Sequence, residues 1–222
     1  MAYRRTENVI RRLNARRDAI VAAARAAAAA GGMAAVQIAP VAARAGVAAG
    51  TVYRYFPGKN DLVGALVESV SERELKALRR AADAAPGPLS ALAAAIATFG
   101  SRALSGRSLA WAVIAEPANS ETEAVRQMYR DALAEEFAAR IRVAIDGGQV
   151  PEQDAALAAA ALLGTLLEGL IGPFAPTDVA NPAHARDAVQ ALTLFALRGL
   201  GVVDAHARGL VVQTALPDGD NG

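Results

Sequence analysis

Thr51, Tyr53, Tyr55 and Lys59 place three hydroxyls and one ammonium within nine positions of a 222-residue chain. Such groups donate hydrogen bonds to phosphate oxygens, and none of them is a nucleophile beside a base. Gly50 precedes them and lets the backbone approach a surface closely. Gln37, Arg44 and Arg54 add further donors nearby. The chemistry open to this cluster is therefore anion binding along a polyphosphate, not bond breaking.

The intervening residues, VAARAGVAAGTVYRYFPGKNDL at 41–62, supply the elements that would hold these groups. Val41, Ala42 and Ala45 suit a short helix packed closely on a second. Gly46 falls where the chain must turn sharply between them, in a left-handed conformation that costs Gly least. Val52 and Phe56 lie four apart and point into the domain. Ala49, Gly50, Thr51, Tyr53 and Tyr55 are left for the outer face. Pro57-Gly58 stops the helix, and Lys59 opens the next, where its charge and the free N–H groups can both meet a phosphate. A packing face could also carry Tyr53 and Tyr55, and a solvated one Arg44 and Arg54.

The run AGV-xx-GT-x-Y-x-YF-xx-K-xx-L resembles the DNA-binding domain of TetR-type (TetR/AcrR) transcriptional regulators. The likeness covers about residues 16–66; the rest of the chain agrees only in length and helical character. It implies that the second short helix enters the major groove while the first braces it. Carried over by position, Thr51, Tyr53, Tyr55 and Lys59 fall where phosphate is touched, with Gln37 a further candidate. Ala39, Ala48, Ala49 and Gly50 fall where relatives place base-reading side chains. Here those side chains are methyl groups or hydrogen, so direct hydrogen-bond readout should be sparse. Reading then falls to Arg44 or Arg54, to the Tyr53 ring, to a basic arm in the minor groove and to DNA shape.

Charge distribution agrees with a DNA-facing end. Residues 1–60 carry ten basic and two acidic residues, a net of +8; the remainder carries 13 basic and 20 acidic, a net of −7. Hydrophobic residues make up 54% of the chain, much of it Ala, the best helix former. An all-α fold of about nine helices follows. The absence of Cys excludes disulfides and thiolate chemistry and suits a reducing cytoplasm. The arginines ahead of AIVAAARAAAAAGG imitate a secretory signal, but Arg25 interrupts the apolar run. Residues 84–101 come nearest to a membrane span and contain two prolines, so no membrane partner is expected.

The organisation reads as a basic arm and helix-turn-helix domain at 1–58, a linking helix at 59–85, a helical ligand-binding and dimerisation domain at 86–204 and a flexible tail at 205–222. Expected helices cover 12–30, 37–45, 49–56, 59–82, 89–104, 108–115, 121–146, 152–171 and 183–200. The boundary is Pro86-Gly87-Pro88.

Two helices of the second half, 152–171 and 183–200, offer a homodimer interface: Leu162, Leu166 and Leu170 on one, Val189, Leu192 and Phe195 on the other. Gly164 and Gly169 allow close approach, and two copies would form a four-helix bundle. The same stripes could serve only an internal core. The resemblance implies a small effector bound in this half. Phe99, Trp111, Ile114, Met128, Tyr129, Phe137, Leu167 and Phe174 are candidate contacts, with Glu168 as a polar anchor, though each also suits plain core. The scarcity of polar groups predicts a hydrophobic effector.

His184 and His206 are the only histidines, and neither has metal-ligand spacing. GTLLEG and RAGVAAG lack the Lys and the preceding strand of a phosphate loop. No catalysis, metal or cofactor is expected. The function predicted is that of a ligand-released repressor binding a palindromic duplex operator as a dimer. The alternative is a helical protein–protein adaptor that no longer reads DNA.

Overall fold

The computed structural model describes residues 2–173, 175, 176, 178 and 181–216, with side chains from Glu7 onward, Asn8 excepted. The described residues form ten α-helices and one 3-10 turn: α1 Ala2–Gly31, the turn Met33–Ala35, α2 Ile38–Arg44, α3 Ala49–Tyr55, α4 Lys59–Asp83, α5 Pro88–Ser105, α6 Arg107–Ile114, α7 Ser120–Asp146, α8 Ala155–Leu170, α9 Pro182–Gly199 and α10 Asp204–Gln213. The all-α expectation holds.

The residues at the ends of these helices explain their limits. Pro88 opens α5 at a position where its missing N–H has no partner to lose. Asn119, Asp154 and Asn181 cap α7, α8 and α9 by accepting from first-turn amides at 2.8–3.1 Å. Asp154 is the reason α8 begins at Ala155 and not at 152 as expected.

Two departures from the sequence reading concern the chain's ends. The basic arm expected over 1–11 continues α1 back to Ala2. Residues 2–30 contain neither Gly nor Pro, and the packed segment from Ile20 onward supplies a nucleus from which the helix extends. Its described side chains before Ile20 are all exposed. The flexible tail expected from 205 instead includes α10, whose Ala207, Leu210 and Val211 form a buried face against α9 and α5. Three apolar residues at i, i+3 and i+4 are enough to dock one helical turn.

The helices enclose two cores. The N-terminal core joins Ile20, Ala24, Val36, Val41, Val52 and Phe56 with the first half of α4. The C-terminal core centres on Leu92, Ile96, Leu133, Phe137, Ile141 and Leu166. α4 serves both: Leu62, Leu66 and Val70 enter the first, Leu78 and Ala82 the second. At about 1.5 Å per residue its 25 residues reach across the molecule. α6 crosses the same boundary. It precedes α7 in the second half, yet its Ala112 and Val113 lie in the N-terminal core against α1.

Candidate nucleic-acid interface

The turn between α2 and α3 follows from Gly46. Its φ is +67°, and its N–H donates to Ala43 O at 3.2 Å while Val47 N donates to Ala42 O at 3.0 Å. These bonds satisfy the last carbonyls of α2 and swing the chain into α3. Val52 and Phe56 are buried, which fixes the rotation of α3 and leaves its opposite face outward. The Arg17 guanidinium of α1 lies over the Phe56 ring, 5.5 Å from its centre. Arg17 is thus engaged by the support of α3.

On the outward face Ala48, Ala49, Gly50, Tyr53 and Arg54 are exposed, while Thr51 and Lys59 are half-buried. Tyr53 is 53% exposed, a large ring held in solvent. Arg44 and Gln37 are exposed on the α2 side. Gln37 has one local bond, from its Nε2 to Ala34 O at 2.9 Å. Among the described residues no ion pair holds Arg44, Arg54 or Lys59. The structure therefore gathers Gln37, Arg44, Ala49, Gly50, Thr51, Tyr53, Arg54 and Lys59 at one solvent-facing end, whereas Tyr55 is half-buried and packs against the N-terminal core. One detail differs from the expectation: the Gly58 N–H donates to Asp61 Oδ2 at 2.8 Å, so this amide at the start of α4 already has an acceptor.

Residues 20–66 match the family model described as bacterial regulatory proteins, tetR family. The chain carries a TetR-family DNA-binding domain. Whole-chain likeness extends the TetR-type fold through the second half. RolR in complex with resorcinol is 22% identical with a TM-score of 0.68, covering 94% of this chain and 98% of that one. FadR from Bacillus subtilis in complex with stearoyl-CoA is 22% identical with a TM-score of 0.64, covering 78% and 96%. SmeT, the repressor of a multidrug efflux pump of Stenotrophomonas maltophilia, is 23% identical with a TM-score of 0.64, covering 91% and 96%. No curated protein matches the sequence.

In the TetR-type second half the effector candidates do not share one environment. Phe99, Tyr129 and Phe137 are buried in the C-terminal core, and Ile114 and Leu167 are half-buried at its edge. Trp111 is exposed, and Met128 is 71% exposed, so neither lies in the core. Glu168 is also exposed, its carboxylate folded back over Gly172. Phe174 lies outside the described residues.

The dimer candidates divide similarly. Leu162, Leu166, Leu170 and Val189 are buried within the single chain. Leu192 is half-buried and rests on Gly169, where an added Cβ would meet it at 3.2 Å. Phe195 is 61% exposed and remains available. Leu162, Leu163, Leu166 and Leu170 are the buried side of α8, which packs on α7 and α5, while Leu157, Ala161, Gly164 and Glu168 are exposed. The stripe was legible; which of its two flanks turned outward was not.

Sequence reasoning missed a polar lock between the halves. Glu116, in the α6–α7 loop, accepts a bond from Met33 N at 2.9 Å. Gly32 makes room for it: its φ is +69° and an added Cβ would stand 2.8 Å from Glu116 Oε2. Arg126 of α7 is 3% exposed and donates to Ala112 O at 2.7 Å and Glu116 O at 2.5 Å. Arg130 adds a bond to Ile114 O at 3.0 Å. Two cations thus cap the C-terminal end of α6, where helix carbonyls lack partners. An Arg-xxx-Arg pair one turn apart was the only trace of this in the sequence.

Among the described residues no group of three His, Cys, Asp or Glu could hold a metal, and no helix is long and apolar enough to cross a membrane. His184 Nδ1 lies 2.8 Å from Asp178 Oδ2 on the surface.

Proposed function

We propose that this chain is a transcriptional regulator that binds a palindromic duplex operator as a homodimer and is a repressor released by a small effector. The observation that carries the reading is the outward face of α3 and its surroundings. Three cations with no ion pair among the described residues, the hydroxyls of Thr51 and Tyr53 and a small-residue edge project from a core that fixes their orientation, with Tyr55 at the margin of that core. Thr51, Tyr53, Tyr55 and Lys59 hold the phosphates; Arg44 and Arg54 reach the groove. Ala48, Ala49 and Gly50 offer methyl contact and close approach in place of hydrogen bonds. The basic helical extension of α1 replaces the expected flexible arm and adds charge along the duplex.

Dimerisation brings together the outward faces of α8 and α9, through Leu157, Ala161, Gly164 and Phe195. An added Cβ at Gly164 would meet no atom of the described residues within 4 Å, which leaves room for a partner helix. A two-fold pair would set its α3 helices in successive major grooves, about 34–36 Å apart. Such a chain works in the cytoplasm, where its DNA lies.

Effector binding in the C-terminal core would act through α4 and α6, since both enter the N-terminal core. The ligand must prefer the DNA-incompetent arrangement, or no equilibrium shifts. The likeness to a resorcinol-bound and a stearoyl-CoA-bound protein supports a small-molecule effector with an apolar portion.

The test is duplex binding by the full chain across a salt series. The regulator reading expects log affinity to fall steeply and linearly with log salt. A chain that bound no duplex at any ionic strength would instead be a helical adaptor.

A further inference from the structure

Burial of Val52 and Phe56 turns two columns of α3 outward, Ala49 with Tyr53 and Gly50 with Arg54, and all four residues are exposed. Their chemistry is narrow. Ala49 offers a methyl group and Gly50 no side chain. Tyr53 offers one hydroxyl at the end of a ring. Arg54 alone brings a planar fork of donors, the geometry that fits two acceptors side by side.

Arg54 is also uncommitted. Among the described residues it has no ion pair and no side-chain hydrogen bond. Arg17, by contrast, is engaged over the Phe56 ring. Side chains of a helix lean toward its N-terminus, which carries Arg54 over Gly50, one turn earlier. An added Cβ at Gly50 would meet no atom of the described residues within 4 Å, so that path is clear.

Acceptors are scarce on the same surface. α2 and α3 contain no Asp, Glu, Asn or Gln. Gln37, just ahead of α2, commits its Nε2 to Ala34 O at 2.9 Å, so its amide is not free for the two-bond pairing that adenine takes. In the major groove adenine and cytosine each present an amine, which needs an acceptor. Guanine presents two acceptors, N7 and O6.

On the regulator reading above, we propose that Arg54 sets the operator preference of this chain by donating two hydrogen bonds to N7 and O6 of a guanine in each half-site. Gly50 supplies the clearance that the guanidinium needs, and Ala49 adds at most contact with a thymine methyl. Arg44 carries the same group on α2, beyond the Gly46 turn, and is the cation of equal charge outside α3.

The test uses the full chain and random duplex DNA. Half-sites selected by the wild type are expected to hold a guanine whose replacement by 7-deazaguanine, which lacks the N7 acceptor, lowers affinity about tenfold, as does an adenine–thymine pair at that position. Arg54→Ala is expected to bind the guanine and 7-deazaguanine duplexes equally. Arg54→Lys keeps the charge and loses the fork, so the wild-type salt slope should persist with a reduced guanine preference. Arg44→Ala is expected to weaken all these duplexes alike. The three variants should unfold at the wild-type temperature, since both arginines are exposed. Full guanine preference in Arg54→Ala, an equal loss of affinity for every sequence in that variant, or selected half-sites without guanine would each overturn the proposal while duplex binding, and with it the regulator reading, stands. No retention of any duplex at low ionic strength would overturn both.

Discussion

Glu116 Oε2 accepts the Met33 backbone N–H at 2.9 Å across 83 residues of sequence, joining the α6–α7 loop to the turn that leads into α2 and α3. A carboxylate bonded to an amide in a half-buried setting contributes about 1–2 kcal/mol. Glu116→Ala is expected to speed hydrogen exchange at the Met33 amide about tenfold while α7 amides keep their protection. It should also weaken coupling between effector and DNA, since one of the links between the halves is gone. Unchanged exchange at Met33 would remove the bond from the account of coupling.

Arg126 and Arg130 offer a contrast within one helix. Arg126 is almost fully buried and holds the Ala112 carbonyl of α6 and the Glu116 carbonyl of the loop after it; Arg130 is more exposed and holds one α6 carbonyl. Arg126→Ala should cost about 2–4 kcal/mol in denaturant unfolding, because buried carbonyls lose their donors. Arg130→Ala should cost about 1 kcal/mol or less, the solvent-screened case.

At the DNA-facing end, charge and hydrogen bonding can be separated. Lys59→Ala is expected to lower duplex affinity and flatten the log-affinity against log-salt slope by about 0.9, one counterion's worth. Tyr53→Ala should lower affinity with the slope unchanged, since a hydroxyl displaces no counterion. Fluorescence anisotropy over a salt series reads both.

Most of this architecture was legible beforehand. Gly46, the Val52–Phe56 pair and Pro57-Gly58 locate the helix-turn-helix because each answers to local backbone and packing rules. Pro88 and Gly106 delimit α5 for the same reason. Longer-range contacts decided what was not legible. Val189 and Phe195 both suit an interface by type, but only the packing of α9 on α5 shows that the first is core and the second exposed. Glu116 carries no local signal of its role, because its partner, the Met33 amide, lies 83 residues away in sequence.

The dimer surface distinguishes those residues experimentally. Phe195→Asp or Leu157→Asp should yield folded monomers in sedimentation equilibrium. Leu166→Ala should cost about 2–5 kcal/mol of stability at unchanged self-association per folded chain, because Leu166 is buried within one chain. Loss of the dimer by Leu166→Ala alone would contradict this division.

Asp204, in the first turn of α10, has a carboxyl held below its usual range by hydrogen bonds from Arg208 and then Arg198. A depressed folded pKa gives stability that is present above the unfolded carboxylate pKa and lost as pH falls through the folded value. Docking of α10 on α9 should therefore be constant near neutrality and weaken only in the acid range, below about 4. Asp204→Asn should remove that acid-range component. Hydrogen exchange of the α10 amides as a function of pH measures it.

Selection of bound fragments from random duplex DNA by the purified full chain tests the central claim most directly. The expected result is a palindrome with half-sites about one helical turn apart, lost together when Tyr53 and Lys59 are both replaced by Ala. Recovery of no enriched sequence, with no retention of any duplex at low ionic strength, would contradict it.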